Sequence, residues 1–184
     1  KPNSTGYIEV GSSQGIVADS LKVIDMRRLL FVGNNDSDLN LSSNDISITQ
    51  IYTSDKKELG YRYGPVSAMM PDNRNIDRFW ETGMLPVSLG FILDIPKRLK
   101  SYSLGGEVEA IGRMPVAWRL EGLGKDKSWT LLDDRNNVSW LNSEKKEFFV
   151  NTSQSYNQYR LSFIESSEGI LRIYNIKLNF IERS

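Results

Sequence analysis

The chain has 184 residues, enough for one domain with a sizeable core and some additions. With 39% apolar and 25% charged residues it reads as globular, and 23 basic against 23 acidic side chains leave no basic excess to predict a nucleic-acid partner. The absence of Cys and His excludes disulfides, Cys/His zinc sites, thiol nucleophiles and Ser-His machinery.

Residues 1 to about 15 are rich in Gly, Ser and Asn, with Tyr7, Ile8 and Val10 as a short apolar cluster. They read as an arm or an edge strand. Residues 16–33 are apolar with an ambiguous period. Val17, Leu21 and Ile24 fit a helix face, whereas Ile24, Met26, Leu30 and Val32 fit a strand. Asn34 to Asn44 is a polar loop of turn formers. From Ile46 the strand signals become regular, with Ile46, Ile48 and Tyr52 alternating. A long loop, Thr53 to Arg78, carries Gly60, Gly64, Pro65 and Pro71. Leu89, Phe91, Leu93 and Ile95 then alternate before Pro96, and Tyr102 and Leu104 follow.

Further on, Trp118 and Leu120 oppose Arg119 and Glu121, and Tyr159, Leu161 and Phe163 oppose Arg160 and Ser162. This period of two marks strands with one buried face, so these five apolar residues are expected on neighbouring buried strands. In the last run Leu171 and Ile173 share one parity and Ile176, Leu178 and Phe180 the other, which predicts a β-bulge near Tyr174 and Asn175. Strands separated by loops, with no long helix and no internal repeat, predict an all-β sandwich. No apolar run approaches the ~20 residues of a membrane helix, and no signal-peptide pattern opens the chain.

The order of parts resembles a known family. Arg113-Met-Pro-Val-Ala-Trp-Arg-Leu-Glu-Gly122 is followed by Lys127-Ser-Trp-Thr-Leu-Leu-Asp133 and then Tyr156-Asn-Gln-Tyr-Arg-Leu-Ser-Phe163. Upstream, Asn73 to Tyr102 is similar to an Asp/Asn-rich turn, a Trp, and a strand ending in Asp-Leu-Gly, with Asp94-Ile-Pro96 in place of the last motif. Together these resemble the discoidin-like domains, the jelly-roll β-sandwich of coagulation-factor C domains and galactose-binding modules. The resemblance spans roughly Ile46 to Phe180. It implies a discoidin-like sandwich over 46–184 and an N-terminal extension over 1–45. That extension carries Leu21, Ile24, Met26, Leu29, Leu30 and Phe31, which are expected to pack partly on the sandwich and partly on another chain.

Loops at one end of the resembled fold carry ligand recognition, which draws attention to Tyr61-Arg62-Tyr63 between Gly60 and Gly64. Two rings around a guanidinium suit a sugar, stacking on its C–H face and hydrogen-bonding its hydroxyls. The alternative is that one Tyr packs into the barrel end and Arg62 faces water. Trp80, Trp118, Trp129 and Trp140 fall where the resembled pattern has framework aromatics, and they read as core. Trp140 with its neighbouring loop is kept as the next candidate ligand residue. Galactose-binding relatives often hold Ca²⁺ near an Asp-Gly-Asn turn. Here the turn is Asp72-Asn-Arg-Asn-Ile-Asp77, Arg78 stands about where a Thr often sits, and Asn175 about where a late Glu helps. These departures lead to the expectation of no metal and no cofactor.

Glu107, Glu109, Asp133 and Asp134 occur as close acidic pairs but in no recognisable catalytic frame, so no enzyme activity is expected. Lys97-Arg98, Lys100 and Lys145-Lys146 read as solvated edge positions that discourage strand pairing. Asn-x-Ser/Thr triplets begin at Asn3, Asn35, Asn40, Asn137 and Asn151 and matter only in a eukaryotic secretory setting. The resulting expectation is a non-enzymatic, carbohydrate-binding or cell-surface recognition module. It would serve adhesion or receptor binding in an adhesin, secreted protein or virus/phage surface protein, outside the cell or on a virion or cell surface. Its partners would be a glycan or cell-surface receptor, other subunits of an assembly, or a second copy of itself. The alternative is a structural virion decoration or fibre subunit that uses the sandwich as a mount.

Overall fold

The computed structural model describes residues 7–9, 22–25, 48–56, 62–69, 78–141 and 144–181, with the backbone alone for 7–9, 22–25 and Val108. Strands β1 (Tyr7–Glu9), β2 (Lys22–Asp25) and β3 (Ile48–Thr53) precede a short helix α1 (Pro65–Ala68). Then come β4 (Trp80–Thr82), β5 (Val87–Lys97), β6 (Leu99–Gly105), a 3-10 segment (Val108–Arg113), β7 (Pro115–Leu123) and β8 (Trp129–Arg135). The chain continues through β9 (Lys145–Phe149), β10 (Tyr156–Ser166), β11 (Leu171–Ile173) and β12 (Asn175–Phe180).

The strands form an antiparallel sheet in the order β1-β2-β3-β5-β10-β7-β8, a three-stranded sheet β12-β6-β9 and a two-stranded ribbon β11-β4. This is the all-β sandwich that the alternation predicts. Two short pieces of the first 45 residues continue the large sheet, because β2 pairs with β3 and β1 with β2.

The core lies where the apolar faces of the three sheets meet. Trp118, Leu120, Tyr159, Leu161 and Phe163 are fully buried, and the register sets Phe163 opposite Trp118 and Leu161 opposite Leu120. The smaller sheets contribute Tyr102, Leu104, Phe148, Ile176 and Leu178 on one side and Trp80, Leu171 and Ile173 on the other. Removing each such side chain from water is worth about 1.5–3 kcal/mol before chain entropy is counted. A chain of hydrogen bonds pairs polar atoms across the core. The Trp118 indole N–H donates to Tyr102 Oη at 2.7 Å, and the Tyr102 hydroxyl donates to Asp133 Oδ2 at 2.6 Å. Arg135 Nε closes on Asp133 at 3.0 Å, so this chain of bonds links β7 and β8 to β6 across the sandwich.

The structure departs from the expectations at four places. Ile48 and Tyr52 do not share a face. A register shift between Ile48 and Gln50 brings Ile51 opposite Phe91 in the core and turns Tyr52 to the outer face opposite Gly90. The phase change near Tyr174 is a change of sheet rather than a bulge within one strand, since β11 pairs with β4 and β12 with β6. The loop after β3 contains α1, started by Pro65 behind Gly64, with all four helical residues buried. Trp129 is half-buried on the outer face of the large sheet, where the Arg160 guanidinium lies 4.0 Å from its ring.

Candidate functional site

Four chain segments meet beside the β4–β11 ribbon. Phe79 directly precedes Trp80, the first residue of β4, and the extended chain sends their rings to opposite sides. Trp80 enters the core, meeting Phe163 at 5.8 Å and donating its indole N–H to the buried Asp55 at 2.9 Å. Phe79 turns the other way and forms a small separate cluster with Ala110 and Tyr174, with Tyr63 packed against it. The Tyr63 and Phe79 rings stack at 4.5 Å and 27°, and Phe79 meets Tyr174 at 5.1 Å.

Backbone bonds hold Tyr63 there. Glu81 N–H donates to the Tyr63 carbonyl at 2.9 Å, and the Ser67 hydroxyl of α1 donates to the Arg62 carbonyl at 2.6 Å. Tyr63 is half-buried and Arg62 exposed, with the guanidinium 5.9 Å from the Tyr63 ring. The patch therefore sets a partly buried aromatic ring beside a guanidinium on a hydrogen-bonded backbone.

A charged group adjoins it. Arg172 sits between two core residues of β11, so alternation sends it outward, opposite Glu81 of β4. Its guanidinium covers Phe79 at 4.2 Å, and its Nε meets Glu81 Oε1 at 2.7 Å. Arg113, at the end of the 3-10 segment, reaches the same oxygen at 2.7 Å, and its Nε lies 3.4 Å from Glu168 Oε1. Burial opposes ionisation of Glu81, but the hydrogen bonds from Arg172 and Arg113 outweigh it and hold this carboxyl below the usual range.

The sequence candidates are placed as follows. Arg62 and Tyr63 come together in the patch, and Tyr61 lies outside the described residues. Trp140 lies in the main core at 8% exposure, its indole N–H donating to the Pro115 carbonyl at 2.8 Å and its ring 6.4 Å from Trp118. Lys146 Nζ stands 5.5 Å from that ring. The Asp72–Asp77 turn lies outside the described residues, and among the described residues no three acidic side chains converge as a metal site would require. Asp133 is taken up by Tyr102 and Arg135, and Asp134 faces Arg119 at 3.8 Å.

The sequence reading missed Phe79, Arg113, Arg172 and Tyr174. Two signals were there to find: adjacent rings at the start of one strand, which point to opposite sides, and an arginine framed by Leu171 and Ile173.

The architecture is the discoidin-like, galactose-binding-like β-sandwich. Solved structures with this fold include the family 32 carbohydrate-binding module of Streptococcus pneumoniae EndoD, 19% identical, with a TM-score of 0.56 over 69% of this chain and 91% of that one. A pectin-binding carbohydrate-binding module matches at 11% identity and a TM-score of 0.57, over 72% of this chain and 90% of its own. An F5/8 type C domain from Bacteroides fragilis matches at 13% identity and a TM-score of 0.52, over 64% and 81%. No protein-family model matches the chain, and no curated protein matches its sequence.

Proposed function

We propose that this chain is a non-catalytic glycan-recognition module that binds at the loop end bearing Arg62 and Tyr63. The observation that carries the reading is the Tyr63 ring, stacked on Phe79 and only partly buried beside the exposed Arg62. A sugar's C–H face packs on such a ring while its hydroxyls take hydrogen bonds from a planar donor. Tyr61, next in sequence, joins the proposal on sequence grounds. The likeness to carbohydrate-binding modules, a pectin-binding one among them, supports it, although a fold by itself does not fix a function.

The setting we propose is extracellular: an adhesin, a secreted protein or a virus/phage surface protein. There, weak single sites gain apparent affinity from multiple copies. The test is a glycan array on the isolated chain with its mass in solution, repeated with Tyr63→Ala. Sugar binding that disappears with Tyr63→Ala supports the reading. Stable multimers that bind no glycan would replace it with the structural role of a virion or fibre subunit.

A further inference from the structure

The Arg113–Arg172 pair beside the aromatic patch has an unusual arrangement. Both guanidiniums converge on one oxygen, Glu81 Oε1, each at 2.7 Å. The two like charges repel, and the Glu81 carboxylate that both touch holds them together and keeps both guanidiniums charged. A second carboxylate, that of Glu168, stands by. It is held loosely, at 3.4 Å from Arg113 Nε, and its side chain is 52% exposed.

Glu168 fits there because Gly112 has no side chain, and a Cβ at Gly112 would collide with the Glu168 carboxylate. The Glu168 amide is tied to the Gly112 carbonyl at 2.9 Å, so its backbone is fixed while its carboxylate is weakly engaged. Arg113 itself remains accessible, at 31% exposure. Arg172 connects this pair to the patch through its contact with Phe79, the ring that backs Tyr63.

We propose that the ligand of this site is an acidic glycan, and that Arg113, supported by Arg172, receives its carboxylate in the place Glu168 now fills. The inference rests on the glycan-binding reading above and narrows it to uronic-acid sugars. Glu168 is then an internal stand-in for the ligand, displaced when a uronic-acid carboxylate docks on Arg113. A planar guanidinium fork matches a carboxylate with two parallel hydrogen bonds, and such charge-assisted bonds are about twice as strong as neutral ones. The exchange trades a long contact for a short one without exposing a new charge in the protein's interior.

The test uses the whole chain and two probes, a galacturonic acid oligomer and its fully methyl-esterified form, which differ only in the carboxylate. Calorimetric titration at low salt should show the acid form bound about tenfold more tightly, the scale of one charge-assisted pair. Added salt should erode that preference. Arg113→Gln should abolish it, so that acid and ester bind alike. Glu168→Gln should act in the opposite direction and tighten acid binding several-fold, which a merely structural contact would not do. Melting temperatures confirm that both variants fold.

Equal affinity for acid and ester, a preference that survives Arg113→Gln, or weaker acid binding in Glu168→Gln would each overturn the inference. Binding of a neutral galactan alone would overturn it and leave the glycan reading standing. Binding of no sugar of either kind would remove both.

Discussion

Tyr52 lies flat across Gly90, its neighbour on β5, on the outer face of the large sheet. No other residue allows it, because a Cβ at position 90 would fall on the Tyr52 ring. The ring is 1% exposed, and its hydroxyl is buried without a hydrogen-bond partner. Two opposite outcomes are expected. Gly90→Ala should destabilise the fold by about 1–3 kcal/mol, as overpacking does. Tyr52→Phe should leave stability unchanged or raise it by about 1 kcal/mol, because it removes a buried polar group that nothing satisfies. Urea titrations of both variants check this, and a Tyr52→Phe variant clearly less stable than the parent would contradict it.

The Trp118–Tyr102–Asp133 chain yields a graded pair of variants. Trp118→Ala deletes a fully buried indole and should cost about 3–5 kcal/mol. Tyr102→Phe keeps the ring's volume but strands the Trp118 N–H and removes a donor from Asp133, at an expected cost of about 1–3 kcal/mol. Denaturant midpoints at constant slope provide the comparison. Equal losses in the two variants would mean that the bonds matter more than the packing.

Alkaline pH should weaken the fold in a defined window. Burial raises the pKa of the Tyr159 phenol to about 12 and pushes Tyr52 and Tyr102 higher still. In the unfolded chain these phenols release protons near pH 10. Folded pKa values above unfolded ones mean that the full stability is present below about pH 10 and is lost as pH rises through the folded values. Each phenol adds a slope of about 1.4 kcal/mol per pH unit. Stability measured from pH 8 to 11.5 should be level and then fall. Tyr159→Phe should make the fall shallower by about one proton, and an unchanged slope would show that Tyr159 titrates alike in both states.

At the proposed sugar site, Arg62→Lys keeps the charge but loses the planar fork. Glycan affinity should drop by about tenfold with little change in melting temperature, since Arg62 is exposed. Tyr63→Ala should lose binding altogether and lower stability by about 1 kcal/mol, because the ring packs on Phe79. A Tyr63→Ala chain that still binds would move the site elsewhere.

The alternation of Trp118, Leu120, Tyr159, Leu161 and Phe163 was enough to expect neighbouring buried strands, because a strand with one wet face must write its period into the sequence. Tyr52 and the β11–β12 junction were misread because a bulge or a change of sheet alters parity without leaving a composition signal. Arg62 and Tyr63 stood out through their flanking glycines. The rest of the patch did not, since Glu81 and Arg172 become neighbours only when β4 pairs with β11.

That pairing has a consequence for the order of events during folding. Glu81 and Arg172 are 91 residues apart in sequence, and Arg113 reaches Glu81 from 32 residues away. Contacts of such separation close large loops and form late compared with hairpins such as β7–β8. A growing chain can pair β7 with β8 long before residue 172 exists, and it will carry Arg113 and Glu81 without their third member. The recognition proposed for this surface would thus belong to the completed polypeptide alone, and retention on an immobilised ligand would separate finished molecules from those stopped short of β11.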